Sequence, residues 1–283
     1  MAYPWCGILD IPEGKAGSYE VKHIKKPAGT TLSTANIRTA FIGGDKLQDI
    51  KFKSETRWHE LSYDEGVWMT DLPIEQAQHD KLLQNFKGRV LVGGLGLGYA
   101  VTILAQKPLV KEIVVVEKAR EVIDLVWPHL KKEVFEVTEL VNADLFEYLE
   151  ENREARFDFG FYDIWQSDGE TTFFEVVLPL RKLSADVVGE VVCWNENVMR
   201  GQLVLDLRSQ IVSLEMPLPP NSGELTLDTL STPTGDNWHD WSVPFFKTVK
   251  ERRLTARDQE FMRLAHLYAA TYGLADWETF LEE

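Results

Sequence analysis

Apolar and polar residues follow one rhythm in the first quarter of the chain and another from residue 72 onward. YEVKHI (19–24), TAFIG (39–43) and DIKFK (49–53) are short runs with the two-residue alternation of half-buried strands. RWHELSYDEGVWMTD then places β-forming residues on two arms around Asp64-Glu65-Gly66, which predicts a hairpin. A small antiparallel β module is expected from these runs. Residues 1 to about 18, broken by Pro4, Gly7, Pro12, Gly14 and Gly17, read as an irregular arm before it.

Past this module the period lengthens. Asp71 is placed to cap a helix with Pro73 in its first turn, running through IEQAQHDKLLQNF to Gly88. Strands and helices then alternate. Strand 89–93 leads to helix 97–106, strand 113–117 to helix 119–130, and strand 137–142 to a short helix from Asp144. Strand 157–164 leads to helix 172–183, and 187–194 is a further strand. The strands are almost continuously apolar, as buried parallel strands are, so an α/β domain with a doubly wound, mostly parallel sheet is predicted. Residues 199–215 are helix-like, 216–244 are rich in Pro, Ser, Thr and Gly, and 254–272 form an amphipathic helix pattern ended by Gly273. The expected organisation is an arm and β module (1–71), an α/β domain (72–215) and a C-terminal segment (216–283) that completes or flanks it.

The chemistry concentrates where strand 89–93 runs into Gly93, Gly94, Gly96 and Gly98. Glycines at such a turn let backbone amides approach a ligand at the opening of a helix. Nineteen residues after Gly98 comes Glu117, at the end of the next apolar run, where a carboxylate suits ribose hydroxyls. It reads otherwise as a surface acid at a strand end. A dinucleotide fingerprint would need a glycine where Tyr99 stands, and the spacing here is Gly94-x-Gly96-x-Gly98.

Composition narrows the classes. The chain of 283 residues is 44% hydrophobic and 27% charged, ordinary for a globular protein. No apolar run approaches the ~20 residues that span a bilayer. The amino terminus lacks a basic segment followed by an apolar one, so a cytoplasmic protein without membrane contact is expected. Cys6 and Cys193 are far apart, and the six histidines show no ligand spacing, so no metal site is expected. The net charge of −15 disfavours nucleic acid as a partner. Residues 15–57 are nonetheless net +5 and the rest −20, which leaves a solvated basic face or a landing site for an acidic partner.

VLVGGLGLG, VVVEKAREVI, VNADLFEYL and FDFGFYD together resemble the class I S-adenosylmethionine-dependent methyltransferases, and most of all their spermidine-synthase-like branch. The resemblance covers roughly residues 58–195. It implies that Gly94, Gly96 and Gly98 shape the turn under the methionine part and ribose of S-adenosylmethionine, and that Glu117 binds the ribose hydroxyls. It further implies that Asp144 accepts from the adenine amino group, a role compatible with capping a helix, with Leu145 beside the ring. Asp163 then sits where open α/β sheets place their chemistry, as proton acceptor or orienting group for the acceptor substrate. Trp165 either walls the acceptor site or packs in the core. His79, beside Gln78 and Asp80, sits on a helix that borders the site in spermidine synthases, and Tyr162 is expected to pack away from Asp163. The aminopropyltransferases carry a second acid three residues after the first, and an acid in the glycine turn; here Gln166 and Leu97 stand in those places. The resemblance therefore points to methyl transfer to a small molecule or protein side chain. Aminopropyl transfer to a polyamine and a non-catalytic nucleoside-binding protein remain as alternatives, and a homodimer is left open.

Overall fold

A computed structural model describes residues 8–32, 41–42, 45–46, 50–166, 172–196 and 198–199. The chain divides into two compact units, one of residues 1–40, 47–167 and 179–194, the other of 41–46, 168–178 and 195–283.

The first unit holds an antiparallel and a parallel sheet. β1 (Gly14–Ala16) pairs with β2 (Tyr19–Lys26), and Gly17 turns between them with a left-handed φ of 56°. The arm expected to be irregular thus contains a strand. Three residues that open on Gly14 and are followed by Gly17 carry too short a pattern to announce one. β3 (Thr31–Leu32) is a two-residue strand, paired later with β6 (Ile50–Lys51). β7 (Thr56–Tyr63) and β8 (Gly66–Thr70) form the expected hairpin. Asp64 and Glu65 both have positive φ, as a two-residue loop between right-twisted strands requires. The sheet order is β1-β2-β7-β8. A small core of Phe52, Trp58 and Leu72, edged by Ile24, Leu32 and Ile74, lies with it. In the second unit, β4 (Phe41–Ile42) pairs with β5 (Asp45–Lys46).

Helix α1 (Pro73–Leu82) has its cap one residue later than expected, at Leu72. Asp71 does not cap it. Its carboxylate is taken by His59, whose amide donates to Oδ1 at 2.7 Å and whose Nδ1 lies 2.6 Å from Oδ2. Leu72 occupies the cap position instead, and Glu75 reaches back from the first turn to Thr70 Oγ1 at 2.7 Å.

Then come β9 (Gly88–Gly93), α2 (Tyr99–Ala105), β10 (Val110–Glu117), α3 (Arg120–Val126) and a 3₁₀ turn at Trp127–His129. Pro128, which lacks an amide hydrogen, stands in that turn and separates α3 from α4 (Lys132–Val137), a short helix the pattern did not announce. β11 (Thr138–Asn142), α5 (Leu145–Glu151) and β12 (Phe157–Tyr162) follow. A π-turn at Phe173–Val177 precedes α6 (Leu178–Ser184), where Pro179 has no amide hydrogen for the carbonyl of residue 175. β13 (Val188–Cys193) closes the sheet.

The five strands are all parallel in the order β11-β10-β9-β12-β13. Val90, Leu91 and Val92 on the central strand are fully buried, as strands covered on both faces must be. The chain leaves β9 for β10 and β11 on one side, then crosses to β12 and β13 on the other. That reversal opens a crevice at the carboxyl ends of β9 and β12, where such sheets hold ligands. The doubly wound fold with an added antiparallel sheet is as predicted. No described helix is long and apolar enough to cross a membrane.

Candidate functional site

The glycine turn is built at the carboxyl end of β9. Gly94, Gly96 and Gly98 have φ of 93°, 51° and 75°, which side-chain-bearing residues rarely adopt. Each is also closely approached by the protein itself. A Cβ on Gly94 would sit 2.5 Å from the Asp163 carbonyl oxygen, one on Gly96 would strike Met69 Sδ, and one on Gly98 would lie 2.6 Å from Leu130 and 3.2 Å from Leu9. Leu145 presses on Gly93 in the same way, so the apolar residue expected beside an adenine ring lies against the end of β9. The Gly94 amide donates to Val116 O at 2.9 Å and the Asp163 amide to Gly93 O at 3.0 Å, which ties the turn to both neighbouring strands.

Glu117, the last residue of β10, faces this turn. Its Oε2 accepts from the Leu95 amide at 2.8 Å and its Oε1 from the Ala119 amide at 2.7 Å. Burial pushes its carboxyl above the usual glutamate value, and the surrounding backbone amides only partly oppose this. Nearby, the Tyr19 phenol is raised by burial first and by the Glu117 charge second, which brings β2 of the antiparallel sheet to the site.

Asp144 caps α5, accepting from the Phe146 amide at 2.8 Å through Oδ1. Its Oδ2 meets Lys118 Nζ at 2.9 Å. Burial opposes its charge, but the Lys118 ammonium and the Phe146 amide outweigh that and hold the carboxyl below the ordinary aspartate value. The Glu117-Lys118 pair therefore supplies one residue to the turn and the next to the acid expected to read adenine. Lys118 was not singled out by the sequence, although a lysine directly after a strand-end acid was the available signal.

Across β9, Asp163 follows β12 and is half-buried, while Trp165 is buried. Gln166 Nε2 donates to Val67 O at 3.3 Å, so the β7–β8 hairpin borders this side. Tyr162 is fully buried and shares a 2.8 Å hydrogen bond with Ser184 Oγ, as expected of a packing residue. Cys193 is buried in the core, and Cys6 lies outside the described residues. His79 sits among Tyr99, Phe161 and Trp194, with the Trp194 ring 4.2 Å away, and its Nδ1 donates to Glu75 O at 2.8 Å. The structure thus assembles the turn, Glu117, Leu145 and Asp163 around the end of β9. It sets Asp144 beside them through Lys118, and encloses His79 in aromatic rings. No group of acids, histidines and cysteines that could hold a metal occurs among the described residues. The helix patterns at 199–215 and 254–272 and the WHDW run at 238–241 lie outside them, except residue 199.

No family model matches the chain, and no curated protein does. Among solved structures it is similar to spermidine synthase from Thermotoga maritima, at 19% identity and a TM-score of 0.34, over 47% of this chain and 50% of that one. The SAH-bound N-terminal domain of EvdMO1 is 21% identical with a TM-score of 0.29, over 42% and 47%. Precorrin 8w decarboxylase from Methanobacterium thermoautotrophicum is 15% identical with a TM-score of 0.32, over 43% and 62%. The chain spans about half the length of the first two structures and under two thirds of the third.

Proposed function

We propose that this chain is an S-adenosylmethionine-dependent transferase, and that it transfers a methyl group to a small molecule or a protein side chain. One observation carries the reading. The Glu117 carboxylate, held toward the glycine turn by the Leu95 and Ala119 amides, lies at the carboxyl end of the strand beside the sheet's reversal point, where ribose hydroxyls would meet it.

The residues present fit the cofactor. Glu117 would receive the two ribose hydroxyls, and the backbone of Gly94 to Gly98 would line the methionine side. Leu145 would lie against adenine. Asp144 would take the adenine amino group at Oδ2 by sharing or displacing Lys118, whose side chain is 77% exposed and cheap to move. When bound, S-adenosylmethionine supplies a methyl group on a positively charged sulfur, open to displacement. The protein's part is then to hold a nucleophile in line. Asp163 would orient the acceptor's hydroxyl or amine and receive its proton. The buried surroundings of Tyr162 and Trp165 would keep water away.

Calorimetry with S-adenosylmethionine, S-adenosylhomocysteine and decarboxylated S-adenosylmethionine tests this. The first two are expected to bind. Binding of none would end the reading, and a preference for the decarboxylated form would turn it to aminopropyl transfer. On an identified acceptor, Asp163→Ala should lower turnover by roughly 10²- to 10⁴-fold, the usual worth of a positioned base. Unchanged turnover would remove Asp163 from the chemistry.

A further inference from the structure

The arm ahead of β1 is fastened by hydrogen bonds in which one ring nitrogen faces two opposite partners. His59 on β7 is fully buried, and its Nδ1 lies 2.6 Å from Asp71 Oδ2. A carboxylate only accepts, so Nδ1 carries a hydrogen and the state of the ring is decided at Nε2. That atom lies 3.2 Å from the Ile11 amide nitrogen and 3.1 Å from the Ile11 carbonyl oxygen. Without a proton it accepts from the first; with one it donates to the second. His23 stands opposite His59 in the β2–β7 register, and its Nε2 donates to the same carbonyl at 2.7 Å. The His23 amide donates to Glu13 Oε1 at 3.0 Å, so the arm is gripped on both sides of Pro12. Two residues before Ile11, buried Leu9 places its Cδ1 3.2 Å from where a Cβ on Gly98 would stand. The clasp and the glycine turn thus meet through one short piece of backbone.

The neutral ring completes the clasp. Its Nε2 takes the Ile11 N–H while His23 takes the carbonyl, and both polar groups of this fully buried residue are answered. A proton at His59 Nε2 removes that acceptor. The new N–H turns to a carbonyl oxygen that His23 already holds, and the buried Ile11 amide loses its bond, which destabilises the seated arm. Protonation of His23 has no such effect, because its Nε2 donates in either state. We infer that His59 is a positioning residue: neutral, it seats residues 9–11 against Gly98, and on taking up a proton it loosens them. Among the described residues, the charged or titratable groups around the ring are Asp71 after β8, His23 and Lys25 on its face of β2, Arg57 on its face of β7, and exposed Asp10 and Glu13 on the arm. Helix α1 meets Asp71 through uncharged Gln76, whose amide donates to the Asp71 carbonyl at 2.7 Å. The acids favour the charged ring, whereas Lys25, Arg57 and a protonated His23 oppose it. The seating of the arm is independent of the transferase reading; its effect on cofactor affinity rests on that reading.

NMR of the full-length labelled protein without ligand, taken from about pH 8 to about pH 5, where histidines change charge, reads the clasp directly. The ring ¹⁵N signals of His59 and His23 report each protonation. The Ile11 amide proton is expected to move upfield, and the Leu9 methyl signals to shift, with the midpoint of His59. In His59→Gln both should be indifferent to pH; if that variant does not fold, the wild-type titration still decides. An Ile11 amide or Leu9 methyl that ignores the His59 midpoint, or follows His23 instead, overturns the inference, as does a His59 ring that never changes state in this range. Calorimetry with S-adenosylhomocysteine then tests the coupling. Affinity should fall by about 3- to 10-fold through the same midpoint, the worth of one net hydrogen bond, and His59→Gln should abolish that part of the fall. Affinity that stays level through the midpoint while Leu9 moves would overturn the coupling. No binding of S-adenosylhomocysteine at any pH would instead strike the cofactor reading, and the Ile11 and Leu9 responses would stand separately.

Discussion

The two flanks of β9 solve the same geometric problem in opposite ways. On the β10 side every polar atom named has a protein partner: Glu117 holds the Leu95 and Ala119 amides, and Asp144 holds Phe146 and Lys118. On the β12 and β13 side, Trp165 and Trp194 bury donors that no described residue accepts. The first flank is complete before any ligand arrives, and a ligand there adds to bonds already made. The second leaves two buried donors without a described acceptor, each at a standing cost of about 1–3 kcal/mol. Pre-organisation of the first kind suits a site that binds its ligand without rearranging.

The sharpest way to break the finished flank is at its backbone. Gly94→Ala puts a Cβ 2.5 Å from the Asp163 carbonyl oxygen on a residue with φ of 93°, and should cost about 2–4 kcal/mol in urea unfolding. A loss under about 0.5 kcal/mol would show that the turn relaxes freely and is not a rigid half of the site.

Glu117→Gln comes next. Its amide nitrogen would face a backbone N–H, and about 1–3 kcal/mol of stability is expected to go with the lost acceptor. Affinity for S-adenosylhomocysteine should fall roughly tenfold or more by calorimetry. In the wild type, pH separates the two effects. Because burial raises the Glu117 carboxyl, the folded protein takes up this proton more readily than the unfolded chain. Its contribution to stability therefore grows as pH falls through the raised value, while affinity falls there, since the neutral acid loses the charge that attracts the ribose hydroxyls. The onset lies above the ordinary glutamate value, and the Gln variant should show neither trend.

Lys118→Met is the mildest test. The lysine is largely exposed, so only about 0.2–1 kcal/mol should be lost, and less in high salt. Asp144, held below its ordinary value partly by this lysine, contributes stability above the unfolded pKa that is lost as pH falls through the folded one. That acid-side loss should shrink in the variant.

The parallel sheet was legible because its strands carry apolar runs unbroken enough to survive reading one residue at a time. Val90 to Val92 and Val114 to Val116 are buried on both faces, so no alternation had to be recognised. The hairpin was legible because Asp64-Glu65-Gly66 interrupts two β-rich arms. β1 escaped because its register is set by β2 across the Gly17 turn. The Asp71 cap was misread for a related reason: a carboxylate before a helix is drawn to the strongest donors in reach, and those came from His59, twelve residues earlier. Glu117 and Asp163 were singled out because apolar strands end at or just before them, and Leu145 because the resemblance implied it. The Lys118 pairing and the orphaned indoles depend on neighbours that only the fold supplies.

Met69 and Leu9, one from the β7–β8 hairpin and one from the chain ahead of β1, occupy the space where side chains on Gly96 and Gly98 would stand. The antiparallel sheet is thus an outer wall of the turn itself. A trimmed version of the protein beginning at the parallel sheet would lack that wall and bare greasy surface around residues 96 to 98. Cutting the chain at residue 71 is therefore expected to loosen the glycine turn.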